Sequence, residues 1–215
     1  MRTLSCLGLL LLLAACAGTP QPDWQLESKS ALDRATVAWL SGNSRVAAVD
    51  AARARAELAR TGRPELLARA ELLLCAARVA GLEFDDCPAF APLAADSTPA
   101  ERAYADYLAG RPLAPAQAGL LPPAQRAFAS AAPDAAQLAA IEDPLARLVA
   151  AGAALRRSGR MEAGVVTQAI DTASAQGWRR PLLAWLHLGV RQAEAAGEQA
   201  EAERLKRRMA VVLGN

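Results

Sequence analysis

Apolar residues recur along the chain at helical spacing, and turn residues interrupt the runs at short distances. From Glu27 to Leu40, the positions Leu32, Thr36, Trp39 and Leu40 fall near one stripe, which predicts an amphipathic helix. Ser41-Gly42-Asn43-Ser44 reads as a turn followed by a helix cap. A second helix is predicted from Arg45 to Arg60, with Val46, Val49, Ala52, Ala56 and Ala59 as its apolar stripe. Gly62 ends it and Pro64 opens a third, Pro64 to Val79, whose leucines and alanines are dense enough to imply near-complete burial.

From Gly81 to Pro133 the pattern is less regular and holds most of the prolines. Thr98-Pro99-Ala100-Glu101 is a capping box with proline at the first helical position, and its helix is expected to reach Leu108 with Tyr104 and Tyr107 packed. Pro122-Pro123 is expected to start another short helix through Ala129. The stretch reads as a hinge or a boundary but not as a flexible linker, because Leu, Phe and Ala stay frequent. The last third is the most regular. It predicts helices over Leu145–Arg157, Glu162–Ala175, Pro181–Ala196 and Glu198–Leu213, closed in turn by Gly159, Gly177 and Gly197.

Composition supports an all-α fold of antiparallel helical hairpins. About a quarter of the 215 residues are alanine, and strand formers never cluster in alternation. The formal charge of +2 gives none of the strong basic field of a duplex-binding protein, so no nucleic-acid partner is expected. With 53% hydrophobic residues the chain is also too apolar for a solvated coil. His187 is the only histidine, and no Gly-x-Ser-x-Gly, metal-ligand spacing or glycine-rich phosphate loop accompanies it. No cofactor and no small-molecule substrate are implied.

The amino terminus reads as a secretory signal. It has one early positive charge at Arg2, an apolar run through Leu9–Leu13, and small residues before Cys16. The run is shorter than the ~20 residues a bilayer span needs, and Pro20 and Pro22 prevent its extension as a helix. Leu13-Ala14-Ala15-Cys16 resembles the bacterial lipobox at all four positions. The resemblance implies cleavage of residues 1–15, lipid attachment to Cys16, and a short tether over residues 16–23. Ala17 after the cysteine resembles the outer-membrane sorting pattern of enterobacterial lipoproteins. The expected location is therefore the periplasmic face of the outer membrane, with the lipid as the membrane contact.

Export leaves Cys75 and Cys87 in the body of the chain, an even pair in an oxidising compartment, which predicts a disulfide. A helical hairpin between Gly81, as a helix end, and Asp86, as the cap of a helix with Pro88 in its first turn, would bring the sulfurs together. A redox pair or metal ligands is the alternative use of the two residues.

The helices of the last third carry a weak internal repeat. Leu148, Ala151, Gly152, Leu155 and Gly159 recur as Trp185, Leu188, Gly189, Gln192 and Gly197, at offsets of 37 or 38 residues. The second set, with Ala202, resembles a tetratricopeptide repeat. In such a repeat Gly189 would admit the neighbouring helix, Gly197 would turn the chain, and Trp185 and Leu188 would fill the seam. The turn has one extra residue, Gln192 stands where an aromatic is usual, and Gly164 stands where alanine is expected. Trp39, Gly42 and Ala47 mark a third, degenerate pair. The resulting organisation is a helical region over 24–133 with a proline-rich middle, and tetratricopeptide-like hairpins over 134–215.

The repeat resemblance places His187, Arg191 and Glu194 near the face used for partners, and Trp178 is either packing between hairpins or a binding anchor. Arg179-Arg180 and the Arg204–Arg208 run read mainly as solvated helix faces, with contact to an acidic partner as the sharper alternative. Glu83, Asp85 and Asp86 read as acids favouring a helix start rather than as catalytic carboxylates. The function expected is a binding scaffold or accessory factor for an envelope protein. A wall-acting enzyme and a purely structural lipoprotein are the alternatives.

Overall fold

Small side chains set how closely the helices of this chain approach. The computed structural model describes residues 21–214, and among them every regular element is helical, as the composition predicts. Helices α1 (Asp23–Leu40) and α2 (Ser44–Ala59) form a hairpin, and α3 (Pro64–Ala80) packs against both. A 3-10 turn (Ala91–Asp96), α4 (Pro99–Leu108) and the one-turn helices α5 (Pro115–Ala118), α6 (Pro123–Arg126) and α7 (Ala135–Ala139) make the middle. Helices α8 (Pro144–Ser158), α9 (Ala163–Ala175), α10 (Arg179–Ala195) and α11 (Gln199–Leu213) complete the chain, each boundary within two residues of expectation. The lipobox and Cys16 lie outside the described residues.

The pairs α1–α2 and α10–α11 run antiparallel. Arg34 meets Asp50 at 3.0 Å and Arg53 meets Glu27 at 2.7 Å across the first, and Lys206 meets Glu194 at 2.8 Å across the second. The α4 cap forms as the sequence predicts: Thr98 Oγ1 accepts from the Glu101 amide, and Glu101 Oε2 accepts from the Thr98 amide at 2.7 Å. The helix from Pro122-Pro123 stops early, at Arg126 rather than Ala129.

Helix α3 is the spine. Its buried residues point in every direction, and α1, α2, α4 and α8 all pack on it. The α8 crossing is the closest approach made at any glycine among the described residues. A Cβ on Gly152 would lie 2.3 Å from the Val79 carbonyl oxygen, so only glycine admits this approach. The core that spreads from this crossing takes residues from Ala68 to Leu205; the proline-rich middle supplies Phe90, Leu121 and Phe128 to it, and α7 supplies Leu138.

The stripe expected on α2 is on the wrong face. Val46 and Val49 are 52% and 66% exposed, and Ala52, Ala56 and Ala59 are exposed with them. Ala47, Ala51, Ala54 and Leu58 are buried instead. Close packing against α1 selects the small side chains, and in an alanine-rich helix the larger valines mislead the phase.

Cys75 and Cys87 are bonded, with their Cα atoms 5.4 Å apart. The route differs from the expected helical hairpin. Gly81 follows α3 at φ −94°, and Leu82 takes the left-handed position at φ 60°. Glycine stands at 81 for space: a Cβ there would meet Trp39 Cη2 at 2.8 Å. Asp86 caps no helix, and the next element is the 3-10 turn at Ala91. Asp86 and Cys87 also have positive φ, 58° and 53°. The acids of this loop face arginines rather than a helix start. Asp85 pairs with Arg78 of α3 at 2.8 Å, Asp86 with Arg156 of α8 at 2.6 Å, and Glu83 with Arg180 of α10 at 3.0 Å. One loop thereby ties together three helices.

Candidate functional site

Helix α10 carries the residues singled out for partner binding. Its inward face holds Trp185, wholly buried, whose Nε1 donates to the Ala80 carbonyl at 3.0 Å. Helical spacing then turns His187, Arg191 and Glu194 outward along one stripe, and all three are exposed. Trp178, at the start of α10, is half-buried and packs against the main core.

Arg191 borders a groove of about 380 Å³ between the C-terminal halves of α8 and α10. Leu155, Met161 and Leu188 give it an apolar floor, each partly buried against the main core. Arg160 and Arg191 flank that floor, and neither has an ion-pair partner among the described residues. Gln192 Nε2 donates to the Met161 carbonyl at 2.8 Å and fixes the connecting loop to α10. Gln192 thus clamps the wall of the groove. A second groove runs from Met161 past Pro133 and Gln137, about 530 Å³, and shares Arg160 with the first.

The structure gathers Arg191 into the groove but not the rest of the stripe. His187 is not among its lining residues. Glu194 is engaged by Lys206 at 2.8 Å, and the Glu194 and Glu203 carboxylates hold the Lys206 ammonium above its usual range. Arg160 went unmarked in the sequence. The signal available was its place between the Gly159 turn and Met161, just beyond α8.

Gly189 behaves as a close-approach residue. A Cβ there would lie 3.1 Å from Leu205 Cδ1 of α11 and 3.4 Å from Ile170 Cδ1 of α9. Ala202 on α11 is fully buried. The basic residues are mostly engaged. Arg204 bonds Glu201 through two contacts of 2.6 Å, and Arg180, far from lying on a solvated face, reaches Trp39, Ser44 and Glu83.

The two deeply set glutamates are closed off by arginines. Glu71 accepts from Arg55 Nε at 2.5 Å and Nη2 at 2.8 Å. Glu101 is pushed up by burial, but the Thr98 amide and Arg69 outweigh this and leave its carboxyl below the usual range. Neither stands free as a proton donor. Among the described residues no cluster of three metal-ligating side chains forms, and no helix is long and apolar enough to cross a membrane. Compared with known proteins, the chain matches no family model, no curated protein and no solved structure.

Proposed function

We propose that this chain is a lipid-anchored, periplasm-facing envelope protein that binds another envelope protein. The surface assigned to that partner is the α8–α10 groove. The observation that carries the reading is the pairing of an apolar floor, Leu155, Met161 and Leu188, with the ion-pair-free Arg160 and Arg191. Apolar anchors inside a polar rim are the usual anatomy of a protein-docking patch. The tetratricopeptide-like relation between α8–α9 and α10–α11 belongs to the same proposal, supported by the repeat offset and by Gly189 between Ile170 and Leu205. The anchor rests on the Leu13-Ala14-Ala15-Cys16 sequence, and the outer membrane on Ala17.

Two experiments test the halves of this reading. Cys16→Ser is expected to abolish lipid labelling and release the protein from membranes; unchanged partition would remove the anchor. A photo-crosslinking residue at position 191, in tagged protein expressed in its own host, is expected to capture one reproducible envelope protein. Arg160→Glu should abolish the capture, and the same crosslinker at Val49 should give none. Retention on purified peptidoglycan with no protein adduct would replace the docking function by a wall-binding one.

A further inference from the structure

Beside α3 lies a cavity of about 400 Å³ that no part of the docking surface touches. It is built by α3, the first turns of α4 and the Leu120–Pro122 segment. Leu72, Leu73, Tyr104, Leu120 and Pro122 make its walls largely apolar, and Leu120 stands 45% exposed. A volume of this size with few polar groups is typical of small-molecule sites.

One charge pair edges the cavity. Arg69 Nε donates to Glu101 Oε1 at 2.5 Å, while Glu101 Oε2 is taken by the Thr98 amide at 2.7 Å. Both carboxylate oxygens are therefore occupied. Arg69 is 61% exposed, and its Nη1 and Nη2 donate to nothing among the described residues. The donors left over at this site are thus those of a guanidinium edge, set beside apolar walls.

These features select one kind of ligand. An inorganic anion would leave the leucines wet. A cationic amphiphile would meet the guanidinium. A groove of about 400 Å³ encloses on the order of a dozen heavy atoms at the ~30 Å³ of a liquid water, about the size of a ten-carbon carboxylate. We propose that this cavity binds a single-chain fatty carboxylate, its head on the free nitrogens of Arg69 and its chain along Leu72, Leu73 and Leu120.

The test is photolabelling of the full chain in lipid nanodiscs with a decanoate analogue carrying a diazirine at its methyl end, the labelled residues being read by mass spectrometry. Label should concentrate on Leu72, Leu73 and Leu120 and be displaced by decanoate. Arg69→Gln should lower it about tenfold, the loss of one charge-assisted contact. Leu73→Trp, which leaves the Arg69–Glu101 pair in place and fills the cavity, should abolish it with the helical circular dichroism unchanged. Equal displacement by decyltrimethylammonium overturns the assignment. Label spread without preference over the exposed Val46, Val49 and Val211, or indifference to Arg69→Gln, overturns it as well.

Discussion

The Arg180 guanidinium lies 4.5 Å from the Trp39 ring centroid, and its Nε donates to the Trp39 carbonyl at 3.0 Å. The same group reaches Ser44 Oγ at 2.6 Å and Glu83 Oε1 at 3.0 Å. One side chain at the start of α10 therefore holds the α1–α2 turn and the loop after α3. Trp39 in turn rests against Gly81, where a Cβ would clash with its ring. This joint fixes the N-terminal hairpin to the helices that carry the groove.

Arg180→Ala should destabilise the fold by about 2–3 kcal/mol, through a lost cation–π contact and charged hydrogen bonds at a half-buried site. Arg180→Lys should recover less than half, because an ammonium cannot reproduce the planar fork over the indole. Urea unfolding with an unchanged slope is the measurement. A loss under ~0.5 kcal/mol would mean that the joint is a surface contact of the ordinary kind.

The Gly152 crossing makes a prediction of opposite sign to another glycine. Gly152→Ala places a methyl 2.3 Å from the Val79 carbonyl oxygen, and neither backbone can yield without moving a helix. It should cost about 3 kcal/mol or more. Gly164 in α9 has its nearest neighbour for a Cβ at 3.5 Å, the Ala135 Cβ. Gly164→Ala should stabilise by about 0.5–1 kcal/mol through helix propensity and unfolded-state entropy. Thermal midpoints of the two variants, measured side by side, separate crowding from propensity.

What the sequence made legible follows from the range of the forces involved. The ends of α8 to α11 are local: Pro144 begins one helix, and Gly159, Gly177 and Gly197 turn the chain with φ near 65–77°. The Thr98–Glu101 box is local in the same way. The phase of α2 is not, because alanine on every side leaves the choice of face to its neighbours. Arg180 was unreadable for a stronger reason, since its partners Trp39 and Glu83 lie 141 and 97 residues away. In the groove, Arg191 was singled out through the repeat resemblance, while Leu188 was expected in the seam with Trp185 and lines the groove instead. Arg160 was not singled out, since it enters only when the α8–α9 turn is brought against α10.

The loop from Leu82 to Cys87 combines three left-handed residues, three ion pairs and the bond from Cys87 to Cys75. The acids are 39–69% exposed, so the ion pairs add little each. The disulfide is the main restraint, contributing about 3 kcal/mol for a loop of this length. Full reduction in urea followed by refolding in dithiothreitol should lower the unfolding free energy by about that amount, read as a lower midpoint at unchanged slope, while leaving the helical signal intact. Thiol titration of the native protein in denaturant should find the Cys75–Cys87 pair oxidised. An unchanged midpoint after verified reduction would assign the loop's order to its arginines instead.

Glu101 sets an acid limit on stability. Its carboxyl is held below the ordinary value of 4.5 in the fold, burial opposing the shift and the Thr98 amide and Arg69 producing it. A carboxyl with a lower pKa in the folded chain stabilises the fold above its unfolded pKa, and that contribution disappears as pH falls through the folded value. The contribution is therefore complete at neutral pH and fades below about pH 4.5. Glu101→Gln keeps one acceptor for the α4 cap but cannot titrate. It should be less stable than the parent by about 1–2 kcal/mol at neutral pH. The gap should narrow at a pH well below 4.5, as the parent carboxyl takes up its proton. Urea unfolding of both proteins at the two pH values reads this directly. A gap of equal size at both would show that Glu101 acts through the geometry of the cap alone and that other carboxylates set the acid limit.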